Sequence, residues 1–369
     1  MKIWRKIRKL IKTPGIFFRD YFDKRYPFTH TELQMSKNKE VATLLGEQDS
    51  RVFSSKECPV DVVYTWVDNT DPLWQERYQF HKSIYENNHQ SLGKFATNDA
   101  RFENHDELYY SIKSVQRNMP WIRNIYLVTD NQVPKWIGGF QDVILVFHHQ
   151  IIDGQYLPTF NSHVIEAFLY RIPELSENFL YFNDDVFVAK PLKKSHFFSA
   201  NGVASLFVSA KRLSDIQKRG LDTPTLSACM SVQSLLQNQF PIKIDNTLVH
   251  TYYPLKKSAY EQAWTMFKEE IVRFLPNKFR TNNDLNMATF LVPWLMYCQQ
   301  QSVEKIDVCY YFNIRSRTAL TCYDKLLKQQ DESLLPHSFC ANDFYVDNNS
   351  QIPDYKEKLI QFLNKYYTV

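Results

Sequence analysis

Phe179-Leu180-Tyr181-Phe182-Asn183-Asp184-Asp185-Val186-Phe187 reads as an apolar strand that ends in Asn-Asp-Asp. A run of that length suits a strand buried in an α/β sheet. Ligands of open α/β sheets bind beyond the carboxyl ends of the strands. Two adjacent carboxylates there repel each other unless something neutralises them. A hard divalent cation does so, and Mg²⁺ commonly arrives with substrate phosphates. The stretch therefore points to an enzyme acting on a phosphorylated substrate. The alternative at this point is an acidic turn that caps the next element.

Outward from that strand the chain alternates strands and helices. Val60-Asp61-Val62-Val63-Tyr64-Thr65-Trp66-Val67 predicts a strand, followed by the polar turn Asp68-Asn69-Thr70-Asp71-Pro72. Helices are predicted at 73–87 and at 105–118, where Leu108, Ile112 and Val115 share a face. Further strands are predicted at 124–130, ending in Asp130, and at 143–147, ending in His148-His149, which read as structural. A helix over 161–172 opens at Asn161 or Ser162, and 203–208 is another strand. Helices are expected at 226–238, 256–271, 284–300 and 354–366, with a strand at 308–312. The expected fold is α/β: a mostly parallel nucleotide-binding sheet flanked by helices, like that of open-sheet glycosyltransferases. A mainly helical insertion covers about 210–301 of its C-terminal half. Asp68 with Asp71, Asp130, and Asp184 with Asp185 would meet on one rim, as in enzymes that hold a metal and a sugar diphosphate there.

The 369 residues, 44% hydrophobic, suffice for a buried core. With only 8 glycines the chain has neither G-x-G-x-x-G nor a Walker A loop. No apolar run approaches membrane-spanning length. The net charge of +4 is uneven: residues 1–25 carry nine Lys/Arg and two acids, a net +7, which leaves the body slightly acidic. Nucleic-acid binding by the body is not indicated. Ile3, Trp4, Ile7, Leu10 and Ile11 recur at helical spacing among those basic residues, with a stop at Pro14-Gly15. The segment reads as an amphipathic helix for an anionic membrane surface; a helix packed on the body is the alternative. Residues 26–57 read as a linker or irregular helix, and 58–369 as the catalytic domain. None of the six cysteines forms a C-x-x-C pair, and they read as reduced thiols of a cytoplasmic protein.

Several of these segments resemble the Stealth proteins. Val60–Asp68 with Asp71-Pro72 resembles their first conserved region. Arg101-Phe102, Asp106-Glu107-Leu108, Tyr110-Ser111-Ile112, the run Pro120–Pro134, Leu157–Ser162, Ile165-Glu166 and Tyr181–Asp185 resemble the second. His250–Pro254 and Phe279-Arg280 are similar to the third, and Cys340-Ala341-Asn342-Asp343 to a shortened fourth. The departures are Asn69-Thr70 where Gly-Ser is usual, and Tyr109 and Lys113 at positions where arginine is common.

The resemblance implies transfer of hexose-1-phosphate from a UDP-sugar, such as a UDP-N-acetylhexosamine, to a sugar hydroxyl. UMP would leave and a phosphodiester-linked capsular or exopolysaccharide would form, with an oligosaccharide or lipid-linked glycan as acceptor. It places the enzyme on the inner face of the cytoplasmic membrane. The lysosomal GlcNAc-1-phosphotransferase subunit is similar. The implied Mg²⁺ (or Mn²⁺) ligands are Asp184 and Asp343, with Asp185 as alternative or outer partner. Arg280 would stabilise phosphoryl oxygens and His250 would carry the acceptor proton. Asp68, Arg101, Asp106, Glu107, Asn161 and Glu166 would contact nucleotide, phosphate or sugar. A metal-dependent glycosyltransferase releasing UDP, a metal-dependent phosphodiesterase and a membrane-associated scaffold are the competing readings.

Overall fold

The computed structural model describes residues 10–12, 14, 15, 17, 18, 21, 36–46, 58–87, 102–220, 223–343 and 351–367. Arg101 and residues 1–9 lie outside them.

Strands β1 (Val60–Thr65), β2 (Ile125–Thr129), β3 (Val143–Phe147) and β4 (Asn178–Phe182) pair in parallel in the order β3-β2-β1-β4. β1, β2 and β4 are Val-, Ile-, Leu- and Phe-rich and buried almost throughout, as central strands covered on both faces must be. Each fully buried Val, Leu or Phe side chain contributes about 1.5–3 kcal/mol. The order places β2 and β3 on one side of β1 and β4 on the other. The chain thus reverses direction across the sheet at the β1–β4 boundary, where a crevice opens beyond the strand ends.

Between β1 and β2 run helices α1 (Pro72–Asn87) and α2 (Glu107–Asn118). Helix α2 buries Leu108, Ile112 and Val115, the face the sequence indicated. The helix predicted over 161–172 is shorter: α3 spans Ser162–Ala167, and a 3₁₀ turn follows at Leu169–Arg171.

The segment Asn183-Asp184-Asp185 is a hinge between two sheets. After it, β5 (Val186–Val188) joins a second sheet, whose order is β10-β11-β5, with β10 at Cys309–Asn313 and β11 at Ser338–Asn342. The backbone N–H of Ala341 donates to the Asp185 carbonyl at 3.0 Å, carrying the β11–β5 pairing into the acidic turn. Helix α2 ties the sheets together. Its Ser111 hydroxyl meets the Tyr64 phenol of β1 at 2.8 Å and donates to the Val186 carbonyl of β5 at 2.5 Å.

The strand expected near 203–208 forms as β6 (Ala204–Arg212), but it belongs to a small separate sheet with β7 (Asn246–Leu248) and β9 (Ser302–Lys305). Within the insertion expected to be mainly helical, β8 (Tyr253–Lys256) adds to the main sheet as an antiparallel edge strand beside β4. The helix expected at 284–300 begins instead as a π-helical turn at Met287–Leu291 and continues as an α-helix over Val292–Cys298. The helix at 256–271 is two, Lys257–Met266 and Lys268–Phe274.

The segment read as linker contains regular structure. Lys37–Gly46 is a helix whose Leu44 is buried in the second core and whose Glu40 accepts from the Tyr310 hydroxyl at 2.5 Å. Near the N-terminus, Pro14, Gly15, Phe17 and Phe18 are helical. Among the described residues no helix is long and apolar enough to cross a membrane.

Candidate active site

A cavity of about 720 Å³ opens at the β1–β4 boundary. Its walls include Thr65 from the end of β1, Asn183, Asp184 and Asp185 beyond β4, Glu107 from the first turn of α2, and Asn342 from the end of β11. The parallel register of β1 and β4 puts Thr65 and the acidic turn on one rim, and the β11–β5 pairing brings Asn342 beside them, so residues from distant parts of the chain converge.

The acidic side of the cavity carries more negative charge than it neutralises. Glu107 is buried, and burial, then the neighbouring Asp184 carboxylate, hold its carboxyl well above the ordinary value. Burial, then Asp185, push Asp184 up to about 7. Asp185 goes the other way: burial opposes its ionisation, but His250 and the Cys340 thiol outweigh that and hold it below the ordinary value. Its Oδ2 accepts from Asn342 Nδ2 at 2.8 Å and from Cys340 Sγ at 3.2 Å. Its Oδ1 is enclosed without a hydrogen-bond partner, 3.8 Å from His250 Nε2. Three carboxyls in mutual repulsion, one with an unsatisfied oxygen, fit a divalent cation with oxygen ligands.

The cationic side is Arg280. Its guanidinium is held by hydroxyls: Nε lies 3.1 Å from Ser162 Oγ, Nη1 lies 3.2 Å from Thr225 Oγ1, and Nη2 also meets Ser162. Among the described residues it makes no ion pair with a carboxylate. Burial draws it down from its ordinary value, and Glu166 opposes that. Glu166 is itself buried, which raises its carboxyl above the usual range, with Arg280 pulling it back. An arginine fork fixed by neutral groups keeps its charge for an incoming anion. His250 stands beside the acidic turn, its Nε2 3.3 Å from Asn183 Nδ2.

The remaining expected residues are placed as follows. Asp343 lines the cavity, but both of its oxygens are engaged, by Arg315 and, at 3.0 Å, by His105 Nε2. Burial would raise its carboxyl, and the Arg315 bonds, then His105, hold it below the ordinary value. Asp68 is not on the cavity wall; its Oδ1 accepts from Thr70 N and Oγ1 at 2.9 and 2.7 Å, closing the turn after β1. Asp106 is exposed, with a left-handed backbone at the start of α2. Asn161 is buried behind the wall as the cap of α3, and its Oδ1 accepts from His163 N at 3.1 Å. Of the rim acids, Asp130 does reach the cavity and pairs with Arg77 at 2.8 Å. His148, also on the wall, is buried, which lowers it to about 4 and leaves it neutral.

Three groups that hold site residues in place escaped the sequence reading: His105, Arg315 and Asp284. Asp284 collects Asn161 Nδ2 at 2.9 Å, His163 Nδ1 at 3.1 Å, Asn277 Nδ2 at 2.8 Å and Thr281 Oγ1 at 2.8 Å. It thereby closes the loop that carries Arg280. A run such as Asn282-Asn283-Asp284 gave no sign of this, because two of its partners, Asn161 and His163, lie more than a hundred residues away.

Comparison with known proteins gives a consistent result. The profile of Stealth protein CR1, conserved region 1, matches residues 59–86, and that of Stealth protein CR2, conserved region 2, matches residues 101–206. A capsular polysaccharide phosphotransferase of Actinobacillus suis is 52% identical, with 100% of both chains covered. The capsular polysaccharide phosphotransferase LcbA of Neisseria meningitidis is 49% identical over 99% of this chain and 100% of its own. Among solved structures, the galactosyltransferase LgtC superposes with a TM-score of 0.39 at 10% identity, covering 82% of this chain and 95% of that one. So loose a superposition fixes the role of no residue.

Proposed function

The chain belongs to the Stealth family and is a phosphotransferase, and we propose that it transfers hexose-1-phosphate from a UDP-sugar to a sugar hydroxyl during capsule synthesis. The products would be UMP and a phosphodiester-linked glycan. The observation that carries the reading is the pairing, in one cavity, of the Asp184–Asp185–Glu107 acid cluster with an arginine that, among the described residues, is held by hydroxyls and forms no ion pair with a carboxylate. Phosphoryl transfer asks for little else: neutralised phosphate charge, an in-line nucleophile and a destination for its proton.

The Arg280 fork would hold two phosphoryl oxygens of the donor as charge builds on them. Ser162 and Thr225 fix its plane. His250 would take the acceptor hydroxyl's proton at Nε2, with Asp185 nearby to stabilise the imidazolium that results. Glu166, close to Arg280, would keep the guanidinium oriented and contact the sugar. Asp184 and Asp185 would hold Mg²⁺ or Mn²⁺, and Asp343 could join them only by giving up His105 or Arg315. When bound, such an ion neutralises diphosphate charge and stabilises the departing UMP.

The donor would be a UDP-N-acetylhexosamine and the acceptor an oligosaccharide or lipid-linked glycan. Residues 1–25, with a net +7, would hold the enzyme against the anionic inner face of the cytoplasmic membrane.

The test is ³¹P NMR of a mixture of enzyme, Mg²⁺, UDP-N-acetylhexosamine and capsule-type oligosaccharide. A phosphodiester resonance growing in step with UMP is the expected result. Release of UDP without a phosphodiester would instead mark a glycosyltransferase that cleaves the anomeric bond, and the reading would fall.

A further inference from the structure

Asp185 and His250 on the cavity wall, and Cys340 buried just behind them, bring an oxygen, a nitrogen and a sulfur together. Their ligand atoms all lie within 4.8 Å of one another. Cys340 Sγ is 3.2 Å from one oxygen of Asp185, and His250 Nε2 is 3.8 Å from the other. Ligand atoms of a tetrahedral zinc site, each about 2.0–2.3 Å from the ion, stand at similar separations from one another. Two further features aim the groups inward. Asp185 Oδ1 is enclosed without a hydrogen-bond partner. The Asn183 amide nitrogen approaches His250 Nε2 at 3.3 Å, so the ring's Nε2 faces the acidic turn.

The donor set does not suit the ion the transfer reaction calls for. Mg²⁺ takes oxygen ligands in near-octahedral geometry and has little affinity for a thiolate. Zn²⁺ is borderline-soft and takes Cys, His and carboxylate together. We propose that Asp185, His250 and Cys340 form a second, zinc-selective site that overlaps the catalytic centre, and that Zn²⁺ bound there inhibits the enzyme. One proton leaves the Cys340 thiol as the Zn–S bond forms, and the ion occupies the Nε2 lone pair that would otherwise accept the substrate proton. Asp185 and His250 both line the cavity, which gives the ion its path. The zinc site itself stands on geometry alone; its inhibitory effect rests on the role proposed above for His250 and Asp185.

The experiment uses full-length protein carrying Cys58→Ser, because the exposed Cys58 thiol would contribute background. Co²⁺ serves as the spectroscopic stand-in for Zn²⁺. Expected is a thiolate-to-cobalt charge-transfer band with tetrahedral d–d absorption, displaced by stoichiometric Zn²⁺ and missing in the additional Cys340→Ser variant. In the transfer assay at fixed Mg²⁺, Cys340→Ser raises the half-inhibiting Zn²⁺ concentration roughly tenfold or more, since even outer partners of a metal site alter affinity by 10–100-fold. A Co²⁺ spectrum without thiolate charge transfer overturns the site. An intact band with no change in Zn²⁺ inhibition on Cys340→Ser overturns the inhibition. A preparation with the band but no transferase activity of any kind would keep the metal site and condemn the phosphotransferase reading, so the two failures are separable.

Discussion

Asn161 donates its side-chain amide to the buried carboxylate of Asp284 at 2.9 Å, and the same nitrogen lies 3.2 Å from the carbonyl of Phe279. The contact stitches the start of the helix Ser162–Ala167 to the loop that presents Arg280. Ser162, the next residue, is the one that grips the guanidinium. Asn161 was expected to touch substrate; it is buried as the cap of that helix, next to Ser162, which lines the cavity.

Replacing Asp284 by Asn keeps its shape but removes the charge and two acceptor positions. Misplacing a catalytic group by about 1 Å can cost roughly 10²-fold, so kcat should fall by about that factor with KM for the donor changing much less. Asn161→Ala should lower unfolding stability by about 1–3 kcal/mol, as expected for a buried carboxylate losing a donor. Steady-state kinetics and urea unfolding measure the two effects. A full-rate Asp284→Asn enzyme would show that the loop holds Arg280 without it.

Arg280→Lys separates charge from geometry. Lysine supplies the charge as a single point and cannot bridge Ser162, Thr225 and two phosphoryl oxygens together. The loss should appear in kcat, at about 10²–10³-fold, the range seen when a preorganised donor to a developing anion is removed. An Arg280→Lys enzyme within about threefold of the parent would reduce this residue to generic electrostatics.

The pH dependence follows from Asp184. Burial and Asp185 raise its carboxyl to about 7 in the folded protein, against an ordinary value of 3.8. A raised carboxyl means that the folded state binds the proton more tightly than the unfolded state. Its stabilising contribution is therefore complete below pH ~4 and is lost as pH rises through about 7. The metal-free protein should lose melting temperature over that interval relative to Asp184→Asn, and Mg²⁺ should restore it by binding the ionised pair. Mg²⁺ affinity should in turn weaken by up to about tenfold per pH unit below 7 and level off above it. Parallel melting curves for parent and Asp184→Asn at all pH values would contradict the assignment.

Much of the frame was legible because it rests on local patterns. β1, β2 and β4 are short apolar runs with turn residues after them, and α2 shows its buried face at i, i+4, i+7 spacing. The Asn-Asp-Asp turn announced a site because such a pair is costly to leave uncompensated. What was missed depends on distance along the chain. Tyr253–Lys256 joins the main sheet with four residues and a proline, too little to show alternation. β5 is three residues long and acquires its meaning from β11, about 150 residues later. His105 meets Asp343 across 238 positions, a pairing no local signal can carry. Asp68 and Asp106 were assigned to the substrate from the family resemblance; Asp68 accepts from Thr70 in the turn after β1, and Asp106 is exposed at the start of α2.

Asp343 admits a direct test between two roles. As found, it pairs with Arg315 and is hydrogen-bonded to His105, and Asp343→Asn should lower stability whether or not Mg²⁺ is present. A ligand to the ion would show a second effect, a rise in the Mg²⁺ concentration needed for half-maximal rate. Stability loss at an unchanged Mg²⁺ requirement would assign the metal to Asp184 and Asp185 without it.

The N-terminal segment makes a prediction of its own. Leu10, Ile11, Phe18 and Tyr21 are helical and exposed on the described part of it, and residues 1–25 hold a net +7. Each Lys or Arg near an anionic leaflet contributes about 1 kcal/mol, an attraction that falls away within a Debye length. Full-length protein should therefore pellet with phosphatidylglycerol-rich vesicles, release as salt is raised, and ignore phosphatidylcholine vesicles. Protein lacking residues 1–25 should stay in the supernatant throughout while keeping its rate on a soluble acceptor, because the cavity draws none of its described walls from that segment. Equal pelleting of the two forms would leave the basic segment without a membrane role and move any attachment to the body of the enzyme.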